Sequence, residues 1–184
     1  MVRIIGGEKK GLHLKIPHTD LRPLTDQAKE ALFNILSPYI IDARFLDLFS
    51  GSGSVAIEAL SRGAKIAFLV EKNRTAVQTI RENLNFTHLS GQAEVFSLPV
   101  KKALGVLEGK GAKFDLVYIG APYDSPELSS SLQILGNGKL LEKNSLVIAE
   151  HRFQHKIEKT FGSIFCYDER RYGDTVFSFF KELA

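Results

Sequence analysis

Residues 45–56 read Phe45-Leu46-Asp47-Leu48-Phe49-Ser50-Gly51-Ser52-Gly53-Ser54-Val55-Ala56, and this stretch decides the fold. The run 45–49 has the length and apolar character of a buried strand. Two glycines follow where the chain must turn, and 52–62 reads as a helix stopped by Gly63. The same grammar repeats downstream. Strands are expected at 66–70, 94–96, 114–119 and 145–149. Helices are expected from Asn73 to about residue 85, with Val77, Ile80 and Leu84 on one face, and at 100–107 and 125–135. Two further strands, 163–167 and 175–180, close the chain. Between them, Arg170-Arg171-Tyr172-Gly173-Asp174 has the composition of a hairpin turn.

Apolar strands that alternate with helices bury both faces of a parallel sheet. The expected fold is therefore α/β and Rossmann-like, with a mostly parallel seven-stranded sheet, helices on both faces and a terminal antiparallel hairpin. In such open sheets, ligands bind beyond the carboxyl ends of the strands. Functional residues are expected just after residues 49, 70, 96 and 119.

Upstream, residues 1–21 read as a hairpin-like arm broken at Gly6-Gly7 and Gly11, and 22–184 as the main domain. The first 24 residues carry Arg3, Lys9, Lys10, Lys15 and Arg22 against Glu8 and Asp20. That balance of +3 equals the charge of the whole 184-residue chain. Such an arm suits either phosphate binding or plain solvation. Thr25 is a good N-cap for a helix whose stripe is Ala28, Ala31, Leu32, Ile35 and Leu36, and Pro38 is expected to stop it.

The chemistry gathers at the strand ends. Asp47 is unusual, because a carboxylate at a buried strand end needs a partner, either a cationic ligand or the amides of the glycine loop. Gly51 and Gly53 let backbone approach a ligand. Glu71 follows the apolar run Ala67-Phe68-Leu69-Val70, where an acid commonly holds the two hydroxyls of a ribose. Gly51 to Ala56 also fits a dinucleotide fingerprint, so a nicotinamide-dependent oxidoreductase is a rival. Asp47 argues against it by repelling a pyrophosphate, whereas a sulfonium nucleoside suits an acidic pocket. A fourth site is Gly120-Ala121-Pro122-Tyr123 at the end of the 114–119 strand. A turn there can present a target amine, with the aromatic ring stacking on a base. Taken alone, the tetrapeptide also reads as ordinary packing.

Together these residues resemble the RsmD family, bacterial methyltransferases acting on the exocyclic N2 of a guanine in small-subunit (16S) ribosomal RNA. The resemblance rests on Arg3-Ile4-Ile5-Gly6-Gly7, Gly11, Leu21-Arg22-Pro23-Leu24-Thr25-Asp26 and Glu30 to Leu36. It continues through Leu46 to Gly53, Glu58-Ala59-Leu60-Ser61-Arg62-Gly63-Ala64 and Tyr172-Gly173-Asp174-Thr175. It implies a class I methyltransferase fold with S-adenosyl-L-methionine as cofactor. It implies that Asp47, Phe49, Gly51 and Gly53 hold the methionine part, that Glu71 and Lys72 lie at the ribose, and that Ser97 and Leu98 border the adenine. Arg22 to Asp26 would lie beside the cofactor, with Thr25 in contact with it, and help shape the substrate entrance. Arg3, Lys9, Lys10 and Arg22 would meet RNA, and Gly120, Pro122 and Tyr123 would form the catalytic turn. The implied partner is 16S ribosomal RNA or a small-subunit assembly particle, met by a monomer.

The chain departs from the family pattern, Asp-Pro-Pro followed by Phe or Tyr, at Gly120-Ala121. Three readings stay open: a neighbouring acid such as Asp124 substitutes, backbone carbonyls alone position the amine, or the chain is a catalytically weakened relative that still binds cofactor or RNA.

Cys166 is the sole cysteine, which excludes an intrachain disulfide and a cysteine zinc cluster. No metal site is expected, since His151 and His155 share a face only if helical. The start has no signal-like apolar run and no stretch has the length of a membrane span, so a cytoplasmic protein is expected. Glu150, at the end of the 145–149 strand, could face the site but reads more readily as a surface salt-bridge residue, and Arg170-Arg171 as either a solvated turn or an RNA contact.

Overall fold

The computed structural model describes residues 2–17, 23–123 and 125–183. Strands β1 (Val2–Arg3) and β2 (His13–Leu14) pair antiparallel as a small arm. Then follow α1 (Asp26–Ile40), β3 (Arg44–Leu48), α2 (Ser54–Ser61), β4 (Ile66–Val70), α3 (Arg74–Phe86) and β5 (Ala93–Phe96). The chain continues with α4 (Val100–Gly109), β6 (Phe114–Ile119), α5 (Glu127–Asn137), β7 (Leu141–Arg152), β8 (Thr160–Phe161), β9 (Ile164–Tyr172) and β10 (Thr175–Glu182).

The main sheet runs β5-β4-β3-β6-β7-β10-β9-β8. Strands β5 to β7 are mutually parallel, and β10, β9 and β8 extend the sheet antiparallel. The strand order reverses between β3 and β6, which puts the ligand crevice at the carboxyl ends of those two strands. Side chains alternate across the sheet with period two. Phe45, Leu69, Leu116, Ile148 and Phe177 face one core with residues of α1, α2 and α3. Leu46, Val70, Val117, Val147 and Phe180 face the other, with residues of α4 and α5. The α/β class, the largely parallel sheet and the two helical layers agree with the sequence reading. The two-residue strand β8 is an eighth, too short to carry a periodic signal.

Some boundaries shift for physical reasons. Helix α1 runs through Pro38 to Ile40. Proline removes one amide donor there, but burial of Ile40 holds the last turn. Strand β3 ends at Leu48, because Phe49 takes a left-handed φ of 64° that turns the chain into the loop. Gly53 is also left-handed and precedes α2, which starts at Ser54. Strand β9 runs on to Tyr172, so Arg170 and Arg171 lie in the strand and only Gly173-Asp174 make the turn. No helix among the described residues is long and apolar enough to cross a membrane.

The arm is fastened by a buried hub. The Glu58 carboxylate accepts the amides of Ile5 and Gly6, both at 2.8 Å, and the Arg62 Nε–H at 2.7 Å. Lys29, fully buried, lies 3.6 Å from Glu58 and donates to the Arg3 carbonyl at 2.5 Å. Burial pushes the Lys29 ammonium below its ordinary value, and Glu58 pulls it back up. The Ser61 hydroxyl donates to the Gly6 carbonyl and accepts the Lys9 amide. A side chain at Gly7 would meet the Ser61 carbonyl, and φ there is 76°. The arm and the end of α2, two of the most distinctive sequence stretches, are thus pieces of one contact.

Candidate functional site

Strands β3, β6 and β7 lie side by side, with Asp47 opposite Tyr118 and Tyr118 opposite Ile148. Glu150 is two residues beyond Ile148, so Asp47, Tyr118 and Glu150 stand on the same face at the carboxyl ends of adjacent strands. They line a small cavity with Phe49, Gly51 and Gly120.

Asp47 is buried. Its Oδ2 accepts the Ala56 amide of α2 at 3.3 Å, while Oδ1 has no hydrogen-bond partner. Burial pushes the Asp47 carboxyl up to about 8; Glu71 and Glu150 add to this, and the Ala56 amide opposes it. A buried acid with one orphaned oxygen beside two further carboxylates is a site for positive charge. Glu71 follows β4. It accepts the Gly51 amide at 3.0 Å on Oε2 and the Asn73 amide at 2.9 Å on Oε1. It therefore ties the glycine loop to the start of α3 and retains lone pairs on both oxygens. These residues fit a cationic nucleoside such as S-adenosylmethionine: Asp47 offers an unmet acceptor to positive charge, and the glycine turn keeps the wall low.

Beside this pocket lies a wider cavity, lined by Leu24, Thr25, Tyr123, Arg152, Phe153 and Tyr172 among others. Thr25 caps α1 there, accepting the Ala28 amide at 3.2 Å. Arg152 lies 4.7 Å from the Tyr123 ring centroid, and Arg171 lies 3.5 Å from that of Phe153. Glu150 lines both cavities.

Of the two sequence readings of Glu150, the structure bears out the less favoured one, that it faces the site. It is buried, not a surface salt-bridge residue. Tyr118 Oη donates a short hydrogen bond to its Oε2, and Tyr123 Oη donates to Oε1 at 2.7 Å. Burial pushes its carboxyl up, and the two hydroxyls pull it down. The sequence held a signal. Glu150 ends the apolar run Leu146-Val147-Ile148-Ala149 just as Glu71 ends Ala67 to Val70.

The other anticipated residues scatter more. Gly120 lines the inner cavity; Pro122 and Tyr123 form the turn beyond it. Lys72 pairs with Glu127 on the surface at 3.4 Å, and Ser97 and Leu98 lie outside both cavities. Arg3 pairs with Asp26 near the start of α1. The Lys9 amide bonds to Ser61 at the end of α2 remote from the glycine loop, with Lys10 beside it. Arg22 and Asp124 lie outside the described residues. His151 sits in β7, its Nε2 2.8 Å from Ser178 Oγ and its Nδ1 3.0 Å from the Arg152 carbonyl.

A family model described as Conserved hypothetical protein 95 matches residues 2–181. The chain is 34% identical to a Bacillus subtilis protein named as a candidate rRNA methyltransferase, YlbH, over 98% of this chain and 99% of that one. It is 36% identical to ribosomal RNA small subunit methyltransferase D of Escherichia coli K12, over 84% of this chain and 76% of that one. A solved structure of an Escherichia coli candidate methyltransferase, yhhF, superposes with a TM-score of 0.86 at 30% identity, covering 98% of this chain and 97% of that one. With this likeness running through arm, glycine loop and sheet alike, the chain belongs to the RsmD family of methyltransferases.

Proposed function

We propose that this protein transfers a methyl group from S-adenosyl-L-methionine to the exocyclic N2 of a guanine in small-subunit (16S) ribosomal RNA. The observation that carries the cofactor assignment is the orphaned, buried oxygen of Asp47 beside Glu71 and Glu150. In this reading Asp47 and the Gly51–Gly53 loop hold the methionine portion, with Phe49 alongside. Glu71 takes the ribose hydroxyls on its remaining lone pairs, with Lys72 near them. Ser97 and Leu98 follow β5 and border the adenine. The wider cavity, rimmed by Arg152, Phe153 and Tyr172, receives the base, and Gly120, Pro122 and Tyr123 form the turn between the two. RNA as substrate draws support from the names of the relatives and from the cationic, aromatic rim, which suits an unpaired base and its phosphates. Arg3 pairs with Asp26, next to Thr25 on the wall of the wider cavity, and contributes from there, whereas Lys9 and Lys10 would need an RNA that reaches along α2.

The test is methyl transfer. The protein is incubated with methyl-labelled cofactor and small-subunit particles or RNA from cells lacking the modification. Label in RNA, released as N2-methylguanosine on digestion, is the expected result. Cofactor binding by calorimetry with no transfer to either substrate would favour the weakened relative, a reading that Gly120 and Ala121 motivate.

A further inference from the structure

Glu150 stands where the two cavities meet. A methyl donor on one side and an acceptor base on the other must touch at that junction. Each carboxylate oxygen takes one tyrosine hydroxyl, from β6 and from the turn after it, and each retains a further lone pair. The two tyrosines come from different elements and fix the carboxylate without neutralising it. Gly120 keeps the approach open. A Cβ built there would stand a tight 3.1 Å from Tyr118 Cε1 and in van der Waals contact, 3.5 Å, with Glu150 Oε2, so any side chain at 120 would extend from a point directly beside the carboxylate. The missing side chain at 120 and the buried acid at 150 are thus two halves of one arrangement.

Resting on the methyl-transfer reading above, we infer that Glu150 is the catalytic acceptor that grips the target amine, with Tyr118 and Tyr123 as its positioning residues. Glu150 accepts an N–H of the amine and aims the nitrogen lone pair at the inner cavity. The cofactor supplies a methyl on a cationic sulfur, and the electron pair of the breaking C–S bond stays with that sulfur. As the N–C bond forms, Glu150 takes the proton that the nitrogen must lose and passes it to solvent through the wider cavity. Besides the two tyrosines, Asp47 of β3 acts on this carboxylate across the inner pocket; Arg152, Tyr172 and Asp174 line the wider cavity with it, and His151 and His155 line a small pocket behind the turn with it.

The experiment uses Glu150→Gln and Tyr123→Phe in the full chain, with melting curves and cofactor calorimetry beside transfer rates. Glu150→Gln should lower kcat by about 10²-fold, with a much smaller change in the cofactor's Kd. Tyr123→Phe removes one hydroxyl that favours the ionised acid. It should shift the acid limb of the kcat–pH profile to higher pH, a change that a merely structural role would not produce. A folded Glu150→Gln protein with wild-type kcat, or a Tyr123→Phe profile that does not move, overturns the assignment. Should Glu150→Gln fail to fold, the Tyr123→Phe profile decides alone. Failure of the methyl-transfer reading would show separately, as wild-type protein that labels no RNA.

Discussion

Asp47 shows how one residue can be legible in the sequence while its consequence is not. An acid inside an apolar strand stands out in the primary structure; its displaced proton affinity depends on burial and on Glu71 and Glu150, which are distant in sequence. The sign of the pH effect follows. In the fold the Asp47 carboxyl loses its proton near 8, against 3.8 as its ordinary value, so between those values the folded state holds a proton that the unfolded chain has lost. Its contribution to stability is whole below about pH 4 and is lost as pH rises through about 8. Urea midpoints for wild type should therefore fall more steeply with rising pH than those for Asp47→Asn; parallel curves would refute a protonated Asp47. A cationic ligand needs the ionised form, so cofactor affinity should rise over the same window in wild type and stay flat in Asp47→Asn. Glu71 makes a separable prediction. Glu71→Ala should weaken cofactor binding about tenfold or more by calorimetry, with the circular dichroism spectrum of the folded protein retained. Unchanged affinity would remove Glu71 from the ribose site. Glu150 carries the same strand-end signal as Glu71, but only the neighbouring strands, which bring two tyrosines onto it, decide between the site and a surface salt bridge.

Elements with strong local signals were legible in the sequence. Strands β4 and β6 fall where their apolar runs lie, and Thr25 and Asn73 cap α1 and α3 through the Ala28 and Ala76 amides. Elements held by distant partners were not. Strand β8 is two residues long and exists by pairing with β9, and β7 runs far beyond its apolar centre because β10 pairs with its last six residues up to Arg152. The Glu58 hub belongs to the same class, since two of its donors lie about fifty residues upstream in the arm. Glu58→Ala would strand Lys29 without its acid and leave two arm amides unpaired. Breaking a buried ion pair from one side costs ~3–5 kcal/mol, and that loss is expected in chemical unfolding. The variant should also expose the arm to limited proteolysis before the main sheet. A loss under ~1 kcal/mol would mean the arm is held by Ile4 and Leu14 packing in the core and not by the hub.

At the scale of the whole molecule, a net charge of +3 is too small to draw a polyanion by itself, so the placement of charge decides where RNA would lie. The parallel half of the sheet puts two acids, Asp47 and Glu150, in the inner pocket, with Glu71 behind its glycine loop, the wrong sign for phosphate and the right one for a sulfonium. The antiparallel extension carries Arg171 on β9, stacked on Phe153 at the rim of the wider cavity that Arg152 and Tyr172 also line, while Arg170 pairs with Asp168. Lys9 and Lys10 sit at the other end of α2, about 12 Å from the glycine loop at 1.5 Å per residue. Lys9 is already paired with Glu8. If the base enters the wider cavity, its flanking phosphates fall on the β9–β10 rim first. Arg171→Ala should therefore weaken RNA binding and lower the slope of log affinity against log salt by about one. Lys10→Ala should change the slope less. Fluorescence anisotropy with labelled small-subunit RNA at several salt concentrations measures both. An equal or larger effect at Lys10 would place the RNA path along α2 and the arm, and would return to the arm the phosphate-binding role that its composition suggests.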